Sequence, residues 1–145
     1  MSKSGGKLGG KSGSKSMNNK KLNRLIQITK ALFSNRKDLR TFHATFVLNK
    51  NKIISIGINS NKTHPEIEKY KYNHEVGIHS ELDAILKLNK ISKINNYTFV
   101  NIRLKKDKTV ANSKPCAGCQ VLLNRINYKK FLYSTDNEKF EQFNP

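Results

Sequence analysis

The chain has 145 residues, enough for one domain with a real core. It carries 28 Lys and Arg against 10 Asp and Glu, a net charge of +18, and no run of 18 or more apolar residues. That composition excludes a membrane-spanning helix and favours anionic partners, polyphosphates or nucleic acid, without choosing between them.

Residues 1–16 are rich in Gly, Ser and Lys and offer almost nothing to bury. They predict disorder: a basic tail over residues 1–19, ahead of a folded domain at 20–145. Ten of the basic residues precede Asp38, the first acidic one, leaving +8 on the rest. The tail has lysines but no apolar stretch behind them, so it does not read as a secretory signal. Its even lysine spacing suggests a nucleic-acid-binding arm, but such runs are more often solvated, as a solubilising extension, a linker, or sequence ahead of an internal start at Met17. Removing residues 1–16 is expected to leave the domain intact.

From Lys20 the pattern turns helical. Leu22, Leu25, Ile26, Ala31, Leu32 and Phe33 recur at spacings of three and four and predict one apolar stripe, closed by Ser34 to Asp38. Phe42, Ala44, Phe46 and Leu48 then alternate with other residues, as in a strand. After a polar turn at 49–52, the β-branched run Ile53 to Ile58 predicts a second strand, buried on both faces. Residues 60–78 form a long polar loop carrying Tyr70, Tyr72 and His74, the natural place for substrate contacts.

His79 opens a second predicted helix, with Leu82, Ala84, Ile85 and Leu86 as its core face. Tyr97 to Leu104 reads as a third strand, followed by a basic loop from Lys105 to Lys114. Pro115 suits the first position of a third helix, where its missing N–H has no partner to lose. Cys116 and Cys119 then share one face of the first turn, and Leu122, Leu123 and Ile126 continue into the core. Lys129 to Tyr133 predicts a fourth strand. Too few residues follow Asp136 for a parallel crossover. A fifth strand at Phe140 to Phe143 must therefore pair antiparallel.

The chemistry concentrates in two stretches, His79-Ser80-Glu81 and Pro115-Cys116-Ala117-Gly118-Cys119. Catalytic zinc takes three protein ligands and keeps a fourth position for water, and His79, Cys116 and Cys119 supply three. Glu81, two residues after the histidine, is better placed to move a proton beside the ion than to bind it. Two other readings stay open. His74 and His79 with the two cysteines make a closed structural set, and the C-x-x-C pair alone makes a redox motif. The redox motif gives His79 and Glu81 no role, and the structural set leaves Glu81 and Pro115 unexplained. With only two cysteines, a reducing intracellular setting is expected, cytoplasmic first, with nucleus or virion left open.

The pairing of H-x-E with P-C-x-x-C resembles the signature of zinc-dependent nucleobase deaminases. On these residues, and on the Asn61 to Pro65 run, the chain is similar to the cytidine/deoxycytidylate deaminase superfamily, particularly small phage- or virus-type members. The resemblance implies a three-layer α-β-α fold around a mixed sheet of four to five strands, the last antiparallel if present. It implies one zinc ion per chain, held by His79, Cys116 and Cys119, with Glu81 as the catalytic acid and base. Asn59, in Gly57-Ile58-Asn59, resembles the family residue that hydrogen-bonds the sugar. Ser80 and Pro115 resemble its base-reading positions, and Tyr70, Tyr72 and His74 fall in its substrate loop. The implied function is hydrolytic conversion of cytosine to uracil in a free nucleoside or nucleotide, with release of ammonia. The alternative is deamination of cytosine or adenine in single-stranded DNA or RNA. A pyrimidine nucleoside or nucleotide is the expected partner, nucleic acid a second one through the tail, a membrane none. A homo-oligomer is expected from resemblance alone.

Overall fold

A computed structural model describes residues 17–60, 79–88 and 91–144. Helix α1 (Asn19–Ser34) starts where the Asn18 side chain accepts the Lys21 N–H at 2.8 Å. Its buried stripe is Leu22, Leu25, Ile26, Thr29 and Phe33. Thr29 enters the core because its hydroxyl donates to the Leu25 carbonyl at 2.8 Å. Ala31, expected on the stripe, is exposed, and Leu32 is half-buried. Thr29 takes the place on the core side that a purely apolar pattern assigns elsewhere.

Strands β1 (Phe42–Asn49) and β2 (Lys52–Ile58) form an antiparallel hairpin. Its two turn residues, Lys50 and Asn51, both have positive φ, which matches the turn twist to that of the strands. After α2 (Ser80–Leu86) and a short 3₁₀ turn (Ile91–Asn96) come β3 (Thr98–Leu104) and the two-residue β4 (Val110–Ala111). Helix α3 (Ala117–Leu123), β5 (Lys130–Ser134) and β6 (Phe140–Gln142) complete the described chain. The sheet runs β2-β1-β3-β5-β6, with β4 paired to β3. Among the described strands only the β3–β5 pairing is parallel, and β6 returns antiparallel to β5 through a connection too short for a parallel crossover.

Alternation along the strands divides the core in two. Phe42, Ala44, Phe46 and Leu48 of β1 and Val100, Ile102 and Leu104 of β3 pack against α1. Val47, Phe99, Phe131 and Tyr133 face the other way, against Leu82, Ala84 and Ile85 of α2 and Leu122 and Leu123 of α3. The three-layer α-β-α arrangement expected from the sequence is therefore the one adopted. The sheet is mixed, with five strands in line and a sixth short one beside them.

Four local expectations are corrected. Strand β2 is not buried on both faces: it lies at the edge, Ile54 is exposed, and only Ser55 and Gly57 are buried. The strands covered on both faces are β1 and β3, which lie inside the sheet. Leu86 is 43% exposed, because α2 ends there and its inner face is already filled by Leu82, Ala84 and Ile85. Pro115 precedes the α3 cap instead of opening the helix; Cys116, extended at φ −72° and ψ 173°, is the cap. The loop expected from Lys105 to Lys114 contains β4, which folds back onto Arg103 and Leu104.

Candidate metal centre and its supporting network

Both ligand-bearing stretches begin helices on one side of the sheet. His79 caps α2 and Cys116 caps α3, with Cys119 one turn into α3. His79 Nδ1 lies 3.3 Å from Cys116 Sγ and 3.3 Å from Cys119 Sγ. All three donor atoms fall within 4.8 Å of one another. A nitrogen and a sulfur on one tetrahedral zinc would stand about 3.5 Å apart, so the set fits that ion. The Cys119 hydrogen bond, opposed by burial and aided by the His79 one, pulls the Cys116 thiol down to about 4. A thiolate at neutral pH is the form a metal takes. Among the described residues the cluster has these three members. His74, the fourth donor of the closed alternative, lies outside the described residues, as do Tyr70 and Tyr72.

Helix α2 is clamped to the edge strand. The Ile58 N–H donates to Asp83 Oδ2 at 2.9 Å, and the Ser55 hydroxyl donates to the Ala84 carbonyl at 2.8 Å. Between these bonds the helix backbone crosses Gly57 closely: a Cβ there would sit 2.1 Å from the Ser80 carbonyl oxygen and 2.3 Å from the Ala84 nitrogen. Only glycine fits that seam. The close approach turns the first residues of α2 over the sheet.

Glu81 consequently points down onto the strands and is 6% exposed. Its Oε2 accepts from Asn101 Nδ2 at 2.9 Å, and the Ser80 hydroxyl lies 3.3 Å from its Oε1. Asn101 is itself fully used. Its second amide hydrogen reaches the Ser113 carbonyl at 3.1 Å, and its Oδ1 accepts from the Thr45 hydroxyl. Thr45 also pairs with the Ser80 hydroxyl at 2.8 Å. Ser113 donates to the Asn101 carbonyl at 2.9 Å and accepts from the Ser134 N–H at 2.8 Å. Each member of this buried network finds a partner, the condition for such a network to rigidify its surroundings.

The pattern follows from register. Gly57, Thr45, Asn101 and Tyr133 lie opposite one another across four strands, beneath α2. The next row outward holds His43 and Arg103, opposite each other on β1 and β3, with Asn59 beside them. Burial first, then the Arg103 charge and the nearby His79 ring, lower His43 to about 4.

The other site residues expected from the sequence are placed as follows. Asn59 Oδ1 accepts from the His43 N–H at 2.9 Å, and its Nδ2 donates to the Thr41 carbonyl at 3.3 Å. Among the described residues each atom retains one further hydrogen-bonding position. Ser80 is buried within the network, and the Pro115 carbonyl accepts from Gln120 Nε2 at 2.9 Å. Thr45, Asn101, Ser113, His43 and Arg103 did not emerge from the motifs. The available signal was a polar residue inside otherwise apolar strands, FHATFVLN and TFVNIRL.

The sequence matches no protein-family model and no curated protein. Among solved structures, the chain is similar to the crystal structure of dCMP deaminase from the cyanophage S-TIM5 in apo form. Identity is 16%, over 82% of this chain and 86% of that one, with a TM-score of 0.48.

Proposed function

We propose that the protein is a zinc-dependent hydrolytic deaminase that converts cytosine to uracil in a free pyrimidine nucleoside or nucleotide. The observation that carries this reading is a three-donor cluster, His79, Cys116 and Cys119, with a buried carboxylate two residues from the histidine. Three ligands leave a tetrahedral ion one position for water, and zinc supplies a water acidified to near neutral pH. A redox pair would need neither the histidine between the sulfurs nor Glu81.

The chain's own residues handle the protons. Glu81 takes one from the attacking water and passes it to the ring nitrogen next to the carbon under attack. It then takes the second proton, from the hydroxyl now on that carbon, and delivers it to the departing amine, so that water and an aminopyrimidine become a carbonyl and ammonia. Such transfers need a carboxylate fixed in direction, which the Asn101 bond provides. Asn59, on the same face, has a hydrogen and a lone pair unused among the described residues, suited to a sugar hydroxyl.

The test is ammonia release and product identity for the zinc-loaded protein on cytidine, deoxycytidine, CMP, dCMP and single-stranded DNA and RNA. The Glu81→Ala variant serves as the blank. Turnover of a monomer, abolished in the variant with zinc still bound, is expected. Undiminished turnover by Glu81→Ala refutes the assignment.

A further inference from the structure

One group near the site has no function in the scheme above. Arg103 extends from β3 on the same face as Asn101, two residues further towards the mouth, about 7 Å along the strand. Its Nε is buried, with no hydrogen-bond partner among the described residues. Among the described residues its Nη1 reaches only the Asn112 carbonyl, at 3.5 Å. No ion pair to Arg103 occurs among the described residues, whereas Arg36 and Lys87 each have one. A guanidinium presents five donors in a planar fork, and a buried N–H left unpaired is costly. The arrangement asks for a planar or tetrahedral anion that arrives from outside.

The neighbours narrow its nature. His43 stands opposite Arg103, and Asn59 flanks His43. With adjacent strands about 4.8 Å apart, Asn59 and Arg103 are separated by about 10 Å across the row. The row lies beyond Glu81, on the same side of the sheet. A pyrimidine ring placed at Glu81 would therefore run its sugar and 5′ substituent outward across it. The anionic group such a substrate carries there is a phosphate, which arginine takes by two parallel hydrogen bonds.

We propose that Arg103, with His43 and Asn59 alongside, is the subsite for the 5′-phosphate, so that the substrate is a pyrimidine nucleoside monophosphate. This rests on the deaminase reading and deepens it. His43 is neutral at physiological pH, and a neutral imidazole beside the guanidinium donates or accepts without repelling it.

The experiment compares zinc-loaded wild type, Arg103→Gln and Arg103→Lys on dCMP, deoxycytidine and a single-stranded oligonucleotide with one cytosine. Calorimetric binding of dCMP, deoxycytidine and inorganic phosphate to Glu81→Gln, with and without Arg103→Gln, is measured in parallel. Wild type is expected to prefer dCMP. Arg103→Gln should raise KM for dCMP by about 10- to 100-fold while leaving both constants for deoxycytidine unchanged, with the lysine variant between. Equal use of dCMP and deoxycytidine by wild type overturns the subsite and leaves the deaminase standing, as does an equal loss on both in Arg103→Gln. Turnover of the oligonucleotide alone overturns the monophosphate assignment. If nothing is turned over, the deaminase reading fails by itself. Binding then decides: dCMP bound more tightly than deoxycytidine only while Arg103 is present supports the anion subsite, and no difference overturns it.

Discussion

Replacing Asn101 with leucine tests whether the buried network does more than fill space. Leucine keeps the branch at Cγ, adds some volume, and removes both polar atoms. Glu81 Oε2 and the Ser113 carbonyl lose their donor, and Thr45 its acceptor. Thr45 keeps Ser80, so its loss is the smallest. Two buried acceptors left unsatisfied cost about 4 kcal/mol together. For a chain of this size that lowers Tm by about 15 °C. The catalytic effect is separate: a carboxylate freed at one oxygen samples directions from which it cannot deliver a proton, and kcat should fall by about tenfold or more. The assay pairs calorimetric melting of the zinc-loaded protein with steady-state kinetics and metal content. Zinc should stay at one equivalent, with the loss in kcat and little change in KM. A variant that melts and turns over like wild type would show that the Asn101 bonds neither stabilise nor position anything.

Four further outcomes are expected. Gly57→Ala pushes α2 off the edge strand, costing about 1–3 kcal/mol in melting experiments and depressing kcat through the displaced Ser80 and Glu81. Cys119→Ser or His79→Ala should drop bound zinc well below one equivalent by elemental analysis, whereas Glu81→Gln retains it. Leu25→Ala, on the sheet face away from the site, should lose about 3 kcal/mol yet keep full kcat when assayed well below its melting point. The folded state holds His43 near 4 while an unfolded chain titrates near 6.5, so only the unfolded state gains a proton in that window. Stability therefore falls as pH drops from about 6.5 to 4, by up to about 3 kcal/mol. His43→Gln should show a shallower fall in pH-dependent melting, and identical slopes would refute the placement.

The elements of the fold were largely legible because they rest on local patterning. Alternation through Phe42, Ala44, Phe46 and Leu48 and the spacing of Leu22, Leu25, Ile26 and Phe33 do not depend on what packs beside them. Burial of whole strands does. Ile53 to Ile58 is as apolar as an interior strand, yet sheet order puts it at the edge, and no local pattern records sheet order. Leu86 failed similarly, since where α2 stops is set by the chain beyond it. In the site, the donor cluster was legible from residue chemistry and spacing together with the resemblance of the paired motifs. Asn101 and Thr45 were not, because a lone polar residue in a strand gains meaning only once register sets the two opposite each other. Arg103 needed still more, the face it shares with Asn101.

The separation of the two donor stretches along the chain has a consequence for the protein's life in the cell. His79 and Cys116 are 37 residues apart, on either side of β3 and β4. An ion joining them ties off that loop as a cross-link does, and closing a loop of that length is worth about 4 kcal/mol against the unfolded chain. That is a large share of the stability of an ordinary small domain. On the proposed reading, metal scarcity would thus reduce the amount of protein as well as its activity, because chains lacking the ion would unfold more often and reach the proteases first.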